Sequence, residues 1–461
     1  MGRKFYTSDD IEELRLKGIK ELVADVNDVV LELAEDAAAR YGIVIRYKTA
    51  DEGLPSRSRG IRKAPPYDIE TWRKQFPILE GGIHLANCSQ SPQSIRVRRS
   101  IEGYLENWNE MGMDWERWMD DVNESKAEFA KLINADPSEI AMLTSLSQAT
   151  ASIASSLDYS GKRNKVVATE AEFPTVVHVW TAHQRYGFDL ELIPVVNGEI
   201  DLAAYERTID ERTLITSIPQ VYYQNGFKQD IAAICQIAHR KGSLLYVDAY
   251  QCLGTDPVDV KAMDIDMLAS GNLKYLLGLP GSAYLYVKQE LIPYLKPTAT
   301  GWFGQENPFA FDIVHFQYAS DARRLDTGTP SVITSYAAKA GMEIINEVGA
   351  ENIKMWVDEL SEYTIQEAQK RGLETTSPLD IRKKGPTTAI SVPDPHAVEA
   401  ELKKRRVVAS ARGPIIRFAP HFFVTHEDID RALDALEEVL HEMGGKMNWV
   451  RPPNAPGVMH G

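Results

Sequence analysis

The chain has 461 residues, 44% of them hydrophobic and 25% charged, ordinary proportions for a globular protein long enough for two or three domains. A formal charge of -15 opposes general nucleic-acid binding, which depends on Lys and Arg neutralising phosphates. The apolar runs are strand-length and broken by polar residues, short of the roughly 20 residues needed to span a bilayer.

Met1–Asp10 has basic residues but no apolar stretch, so no secretory signal is expected there. Cys88, Cys235 and Cys252 show neither CxxC spacing nor a disulfide framework, and a reducing cytoplasm is the expected setting. Walker loop, GxGxxG, HExxH and zinc-ligand spacings are all missing, so no metal is expected and the partner is a small molecule rather than nucleic acid or membrane.

In chain order, two helices are predicted first. One, capped by Thr7 or Ser8, runs from Asp9 to about Val23, and an amphipathic one runs from Asp25 to Arg40-Tyr-Gly42. Tyr47 to Pro66, rich in Arg, Ser, Gly and Pro, reads as a connector. Two helical stretches between Ile95 and Ala135 carry Tyr104, Trp108, Trp115 and Trp118, a density that suits core or interface packing. Strands are predicted at Glu139–Thr144, Lys165–Thr169, Leu190–Val195, Thr213–Ile218, Leu244–Asp248, Asp264–Ala269 and Ala283–Lys288, with helices such as Gln229–Arg240 between them. Such alternation indicates an open, mostly parallel α/β sheet with ligands at the carboxyl ends of its strands. Helices over Ser331–Val348 and Glu351–Arg371, short strands near Ala389 and Ile415, and a helix His426–Met443 capped by Thr425 complete a smaller α+β domain. The expected division is a helical extension and linker over 1–65, a small domain from 66–91 and 331–445, a large α/β domain over 92–330 and a disordered tail over 446–461. No internal repeat is evident.

The chemistry gathers around Lys274, in Ser270–Gly281, and Asp248, at the end of Leu244–Asp248. A lysine amine can form an imine with an aldehyde cofactor, and a carboxylate can keep a pyridine nitrogen protonated. Leu143–Thr150 follows a strand and opens a helix, so its Ser145, Leu146 and Ser147 would present hydroxyls and free N–H groups to an anion. Arg417, in Ile415–Phe423, could grip a carboxylate through two parallel hydrogen bonds.

With Glu172-Phe-Pro-Thr175, Gly301-Trp-Phe-Gly-Gln305, Leu325-Asp-Thr-Gly-Thr-Pro330 and Leu85–Gln90, these segments resemble the aminotransferase class V family of fold-type I pyridoxal-phosphate (PLP) enzymes. That family includes kynureninases, cysteine desulfurases and isopenicillin N epimerase, and the likeness covers about Phe76 to Met443. The resemblance implies a fold with a large PLP-binding domain and a smaller α+β domain. It implies that Lys274 carries the cofactor as a Schiff base, Asp248 pairs with its ring nitrogen, Gln251 bonds its phenolic oxygen and Phe173 stacks on its ring. It further implies a homodimer in which Gly328 and Thr329 reach the neighbouring subunit's phosphate, with Arg417 anchoring the substrate carboxylate and Asn87 and Trp302 bordering the substrate. Where relatives have Tyr or His before the lysine this chain has Leu273, so Ser270 or another group would have to replace that helper. Val407–Pro414 lacks the sulfur-accepting cysteine of desulfurases, and Asn87-Cys-Ser-Gln-Ser-Pro departs from the kynureninase pattern. The resemblance therefore implies an enzyme acting on a free L-amino acid, a kynureninase-like β-cleaving lyase or hydrolase first, with a class V aminotransferase or an epimerase as the alternative. A PLP-fold binding protein without catalysis is the reading from another class.

Overall fold

A computed structural model describes residues 5–25, 29–48 and 63–444. Its centre is a seven-stranded sheet in the spatial order Ile140–Leu143, Ala283–Val287, Met267–Gly271, Leu244–Asp248, Thr213–Pro219, Lys165–Thr169 and Asp189–Ile193. Within it Ala283–Val287 alone runs antiparallel to its neighbours. Alternate residues supply two cores, as the period of two in a strand requires. Val166, Ile215, Tyr246, Met267 and Leu285 pack under the helices Leu146–Ser156 and Pro174–His183, whereas Val167, Ile218, Leu245, Val247 and Leu268 meet Ile231–Arg240 and Val332–Val348 on the other face. Burial on both faces explains why these strands read as continuous apolar runs.

The expected strands stand within a residue or two of their observed bounds, except that Asp264–Ala269 is shifted to Met267–Gly271. Asp264 closes a turn in the left-handed region (φ 55), and the Asp266 carboxylate accepts from Leu245 N at 2.7 Å, so these residues lead into the strand. Ile231–Arg240 starts after its cap Asp230, whose Oδ1 accepts from Ala233 N at 3.0 Å. Thr425 caps His426–Gly444, exchanging bonds with Asp428 at 3.0 and 3.1 Å.

The smaller sheet holds Thr388–Ser391, Ile415–Phe418 and Ser410–Arg412, all antiparallel, backed by Ala350–Lys370, Pro395–Lys404 and His426–Gly444. The earlier segment Ile83–His84 pairs with Val407–Val408, and Ala86 bridges Ala419. This stitching brings Asn87 to Ser91 between the two domains, beside the Lys274 turn.

The N-terminal expectation needs correction. The first helix stops at Leu16, because Gly18 turns the chain in the left-handed region (φ 69) into a strand, Glu21–Asp25. The second begins at Glu32 rather than Asp25, and Tyr47 and Lys48 end a strand, Val44–Lys48, rather than opening a connector. Phe5–Tyr6 pairs with Val29–Val30, and Glu21–Asp25 with Val44–Lys48, both in parallel. The extension is thus a strand–helix–strand unit used twice, an internal repeat the sequence pattern hides because its strands are only two to five residues long. The rest of the expected connector, 49–62, and the tail 446–461 lie outside the described residues. No helix among the described residues is long and apolar enough to cross a membrane.

Candidate active site

Asp248 ends its strand in the sheet interior, where its Oδ1 accepts from Tyr250 N at 2.8 Å. Burial pushes its carboxyl up to about 6, partly offset by that bond and by the charge of Lys274. Lys274 follows the next strand in a tight turn, closed by Leu277 N donating to the Lys274 carbonyl at 3.1 Å and by Gly278 N donating to Asn272 at 2.8 Å. Its Nζ stands 4.3 Å from the Tyr250 ring centroid and 5.6 Å from that of Phe173, and it has no hydrogen-bond or ion-pair partner among the described residues. Burial pushes this amine down to about 8, against the raising pull of Asp248. A buried amine without a partner is costly to keep unless a bound group completes it.

Other side chains are left open in the same way. Gln251 is buried, with Oε1 lacking a partner among the described residues, and Phe173 keeps 36% of its surface exposed while its ring meets Tyr223 at 5.2 Å in a T-shaped contact. Ser145 caps the helix Leu146–Ser156, accepting from Gln148 N at 3.2 Å, and the Ser147 and Thr175 hydroxyls stand 2.7 Å apart at the same end. The helix's first N–H groups and these hydroxyls could seat an anion. Ser270, offered as a substitute for the helper missing at Leu273, turns to the Gly271 carbonyl at 3.3 Å, so Thr175 is the extra hydroxyl at the seat.

Arg417 is only 1% exposed. It donates through Nη1 to the Tyr223 carbonyl at 2.9 Å and through Nη2 to Ser410 Oγ at 2.7 Å and Ser89 Oγ at 3.1 Å, yet it has no carboxylate partner among the described residues. Buried charges are ordinarily paired, so this guanidinium is prepared for an anion. Ser89 and Ser410 line a cavity of about 610 Å³.

Asn87 and Trp302 make their contacts elsewhere, and Gly328 and Thr329 stand on an exposed loop. Asn87, expected at the substrate, is fully buried and spends its amide within the chain: Nδ2 donates to Ala419 O at 2.7 Å, and Oδ1 accepts from Ser91 Oγ at 3.1 Å. Ser91 also holds the Lys274 carbonyl, so Asn87 braces the Lys274 turn. Trp302 joins an aromatic group with Trp115, Phe303, Phe309 and Phe311 rather than the side chains around Lys274. Gly328 and Thr329 are exposed, on a loop whose Thr327 Oγ1 accepts from Gln148 Nε2 at 3.4 Å.

Sequence reasoning missed Tyr250, Ser89, Ser410 and His421. Tyr250, two residues beyond Asp248 and one before Gln251, was legible from that spacing. His421 was not: its Nδ1 accepts from Phe422 N at 2.8 Å, which leaves the proton on Nε2 to be donated to the Tyr275 carbonyl at 3.0 Å, one residue from Lys274.

The sequence model for aminotransferase class V matches residues 85–417, a span that takes in Asn87 to Arg417 and ends just before His421. The chain belongs to that family. Across 369 residues it is 41% identical to the uncharacterized aminotransferase YcbU of Bacillus subtilis (strain 168), a match covering 80% of this chain and 97% of that one. Over 394 residues it is 26% identical to the kynureninase of Geobacillus thermodenitrificans (strain NG80-2), covering 81% and 92%. Among solved structures, the cysteine desulfurase of Thermococcus onnurineus NA1 superposes with a TM-score of 0.74 at 21% identity, covering 82% of this chain and 99% of that one. A C-DES mutant with glycine covalently linked to its PLP superposes at 0.73 and 17%, covering 79% and 98%. The fold is that of fold-type I PLP enzymes, and pyridoxal 5'-phosphate is the cofactor of this class V enzyme.

Proposed function

We propose that this PLP enzyme acts on a free L-amino acid and cleaves a bond at Cβ, as a lyase or hydrolase of the kynureninase-like kind. The observation that carries the amino-acid reading is Arg417, a buried guanidinium without a counter-charge among the described residues, beside a cavity and one domain away from Lys274. The kynureninase relatives, 26–27% identical across about four-fifths of this chain, favour Cβ cleavage. The segment Val407–Pro414 before Arg417 holds no cysteine, which disfavours a persulfide route.

When bound, the cofactor supplies an electron sink for negative charge at the substrate Cα. Lys274 would hold it, and Asp248 would keep the ring nitrogen protonated. Gln251 would face the phenolic oxygen, Phe173 would cover one ring face, and Ser145, Leu146 N–H, Ser147 and Thr175 would take the phosphate. With an amine held near 8, Lys274 is neutral in a sizeable fraction at neutral pH, so it can accept the Cα proton and return it. Arg417 would fix the α-carboxylate and so set which Cα bond stands perpendicular to the ring. Transamination or epimerisation would use the same three side chains, and product analysis separates these outcomes.

A homodimer belongs to the same proposal. Trp108, Met111, Met113, Phe309, Phe311, Ile313, Val314 and Phe316 are exposed, and Trp302 connects Trp115 to Phe309 and Phe311, making one apolar surface. Such a patch suits a subunit interface, one that would carry the exposed Gly328 and Thr329 to the neighbour's phosphate.

The test is a screen of amino acids against the holoenzyme. Pyruvate or alanine among the products supports Cβ cleavage, a new amino acid formed from an added keto acid indicates transamination, and loss of optical rotation alone indicates epimerisation. Borohydride should fix the cofactor to the peptide containing Lys274. A Lys274→Ala protein that retains the same visible band would overturn the assignment.

A further inference from the structure

The cavity of about 610 Å³ lined by Ser89 and Ser410, the hydroxyls that hold Arg417 Nη2, has a cationic wall of its own. Ser410 lies directly across the hairpin from Arg417, and Arg412 is two residues further along the same face. Diagonal neighbours of this kind are roughly 7–8 Å apart at the backbone, and the flexible Arg412 side chain can adjust from there. Arg412 lines the cavity, is exposed, and has no hydrogen-bond or ion-pair partner among the described residues. Its acidic neighbour on the rim, Glu399, is engaged elsewhere: Oε1 accepts from Ala411 N at 3.2 Å and Oε2 stands 3.7 Å from His396 Nδ1. Deeper in, His84 is buried against the same space and its Nδ1 has no partner among the described residues. Ser89, Gln90 and Ser410 complete the polar lining, and Ser89 and Ser410 both accept from Arg417 Nη2 behind them.

We propose that Arg412 is a second anion clamp, and that the amino acid this site takes carries a negative charge on its side chain. Arg417 holds the α-carboxylate, while Arg412 receives the distal carboxylate or sulfinate. The physical reason is charge balance. Arg412 on the cavity wall and Arg417 behind the lining hydroxyls of Ser89 and Ser410, neither with a carboxylate partner among the described residues, are satisfied together by a ligand with two anionic groups, whereas a neutral side chain leaves Arg412 to water alone. Both cations also act on Lys274, whose protonated form each disfavours, so a doubly anionic ligand would restore the balance at the lysine as well.

This inference rests on the reading that the site binds free amino acids, and the test separates the two. The holoenzyme is titrated with L-glutamate and L-glutamine, L-aspartate and L-asparagine, and L-cysteine sulfinate, following the cofactor absorbance to obtain a Kd for each. The anionic member of a pair should bind roughly ten- to a hundredfold more tightly than its amide, the range expected for a charge-assisted pair. In Arg412→Gln that ratio should collapse toward one, whichever way the absolute affinities move, and Arg412→Lys should retain part of it. Amides binding as tightly as acids, or a ratio that survives Arg412→Gln, overturn the Arg412 proposal while the amino-acid reading stands. A cofactor band that no amino acid perturbs overturns both.

Discussion

His421 gives the sharpest test of how the small domain holds the Lys274 turn. The ring is fully buried, receives Phe422 N on Nδ1 and donates Nε2–H to the Tyr275 carbonyl at 3.0 Å. Burial pushes its pKa down to about 4, from an ordinary value of about 6.5. Between these values the unfolded chain binds a proton that the native state refuses, so stability rises with pH through the window and is fully present above about 6.5. The whole depression corresponds to about 3 kcal/mol. His421→Asn keeps an acceptor for Phe422 N, loses the donor to the Tyr275 carbonyl and cannot titrate, so it should flatten the acid limb by about that amount on top of a pH-independent loss of about 1–3 kcal/mol. Urea unfolding of the cofactor-free protein at a series of pH values from about 4 to 7.5 measures this as the difference between two curves. Asp248, raised to about 6, and Glu172, also raised by burial, contribute with the opposite sign, losing stability as pH climbs toward their folded values, but they do so in both proteins and drop out of the difference. Parallel curves for wild type and His421→Asn would refute the buried, neutral histidine.

Two further substitutions probe the cofactor site. A Cβ on Gly271 would fall inside the Tyr250 ring, so Gly271→Ala should displace the ring against which Lys274 Nζ rests, lower cofactor affinity and cost about 1–3 kcal/mol of stability. An unchanged cofactor Kd with unchanged thermal unfolding would show that the ring moves freely. Asp248→Asn removes the charge that raises the Lys274 amine, so competitive acylation of the cofactor-free protein should find Lys274 titrating below about 8, and turnover of the holoenzyme should fall by at least about a hundredfold. An unmoved lysine would mean that the two groups are not electrostatically coupled.

Much of the large domain was legible because its signals are local. Buried parallel strands read as apolar runs, and the cap at Ser145 and the strand end at Asp248 each lie within a few residues of what they organise. The N-terminal unit was not legible. Its helices are amphipathic enough to be seen, but strands of two to five residues have too little pattern to interrupt a helical reading, and Gly18 was the one local sign of a stop. Asn87 was legible only as an amide close in sequence to the site, and its packing adds that Nδ2 donates to Ala419 O while Oδ1 accepts from Ser91 Oγ.

By itself the sequence determined the residue types that PLP chemistry needs and their order along the chain, because a strand-end acid, a turn lysine and a capped helix are each specified by neighbours in sequence. Tertiary structure alone decided which of them meet. Arg417 touches Ser89 across 328 residues of chain and Tyr223 across 194, and His421 reaches Tyr275 across 146. Those contacts arise because Ile83–His84 joins the small domain's strands beside the Lys274 turn. That Arg417 and Arg412 share one face of their hairpin follows from its register, which decides which side chains lie on which side.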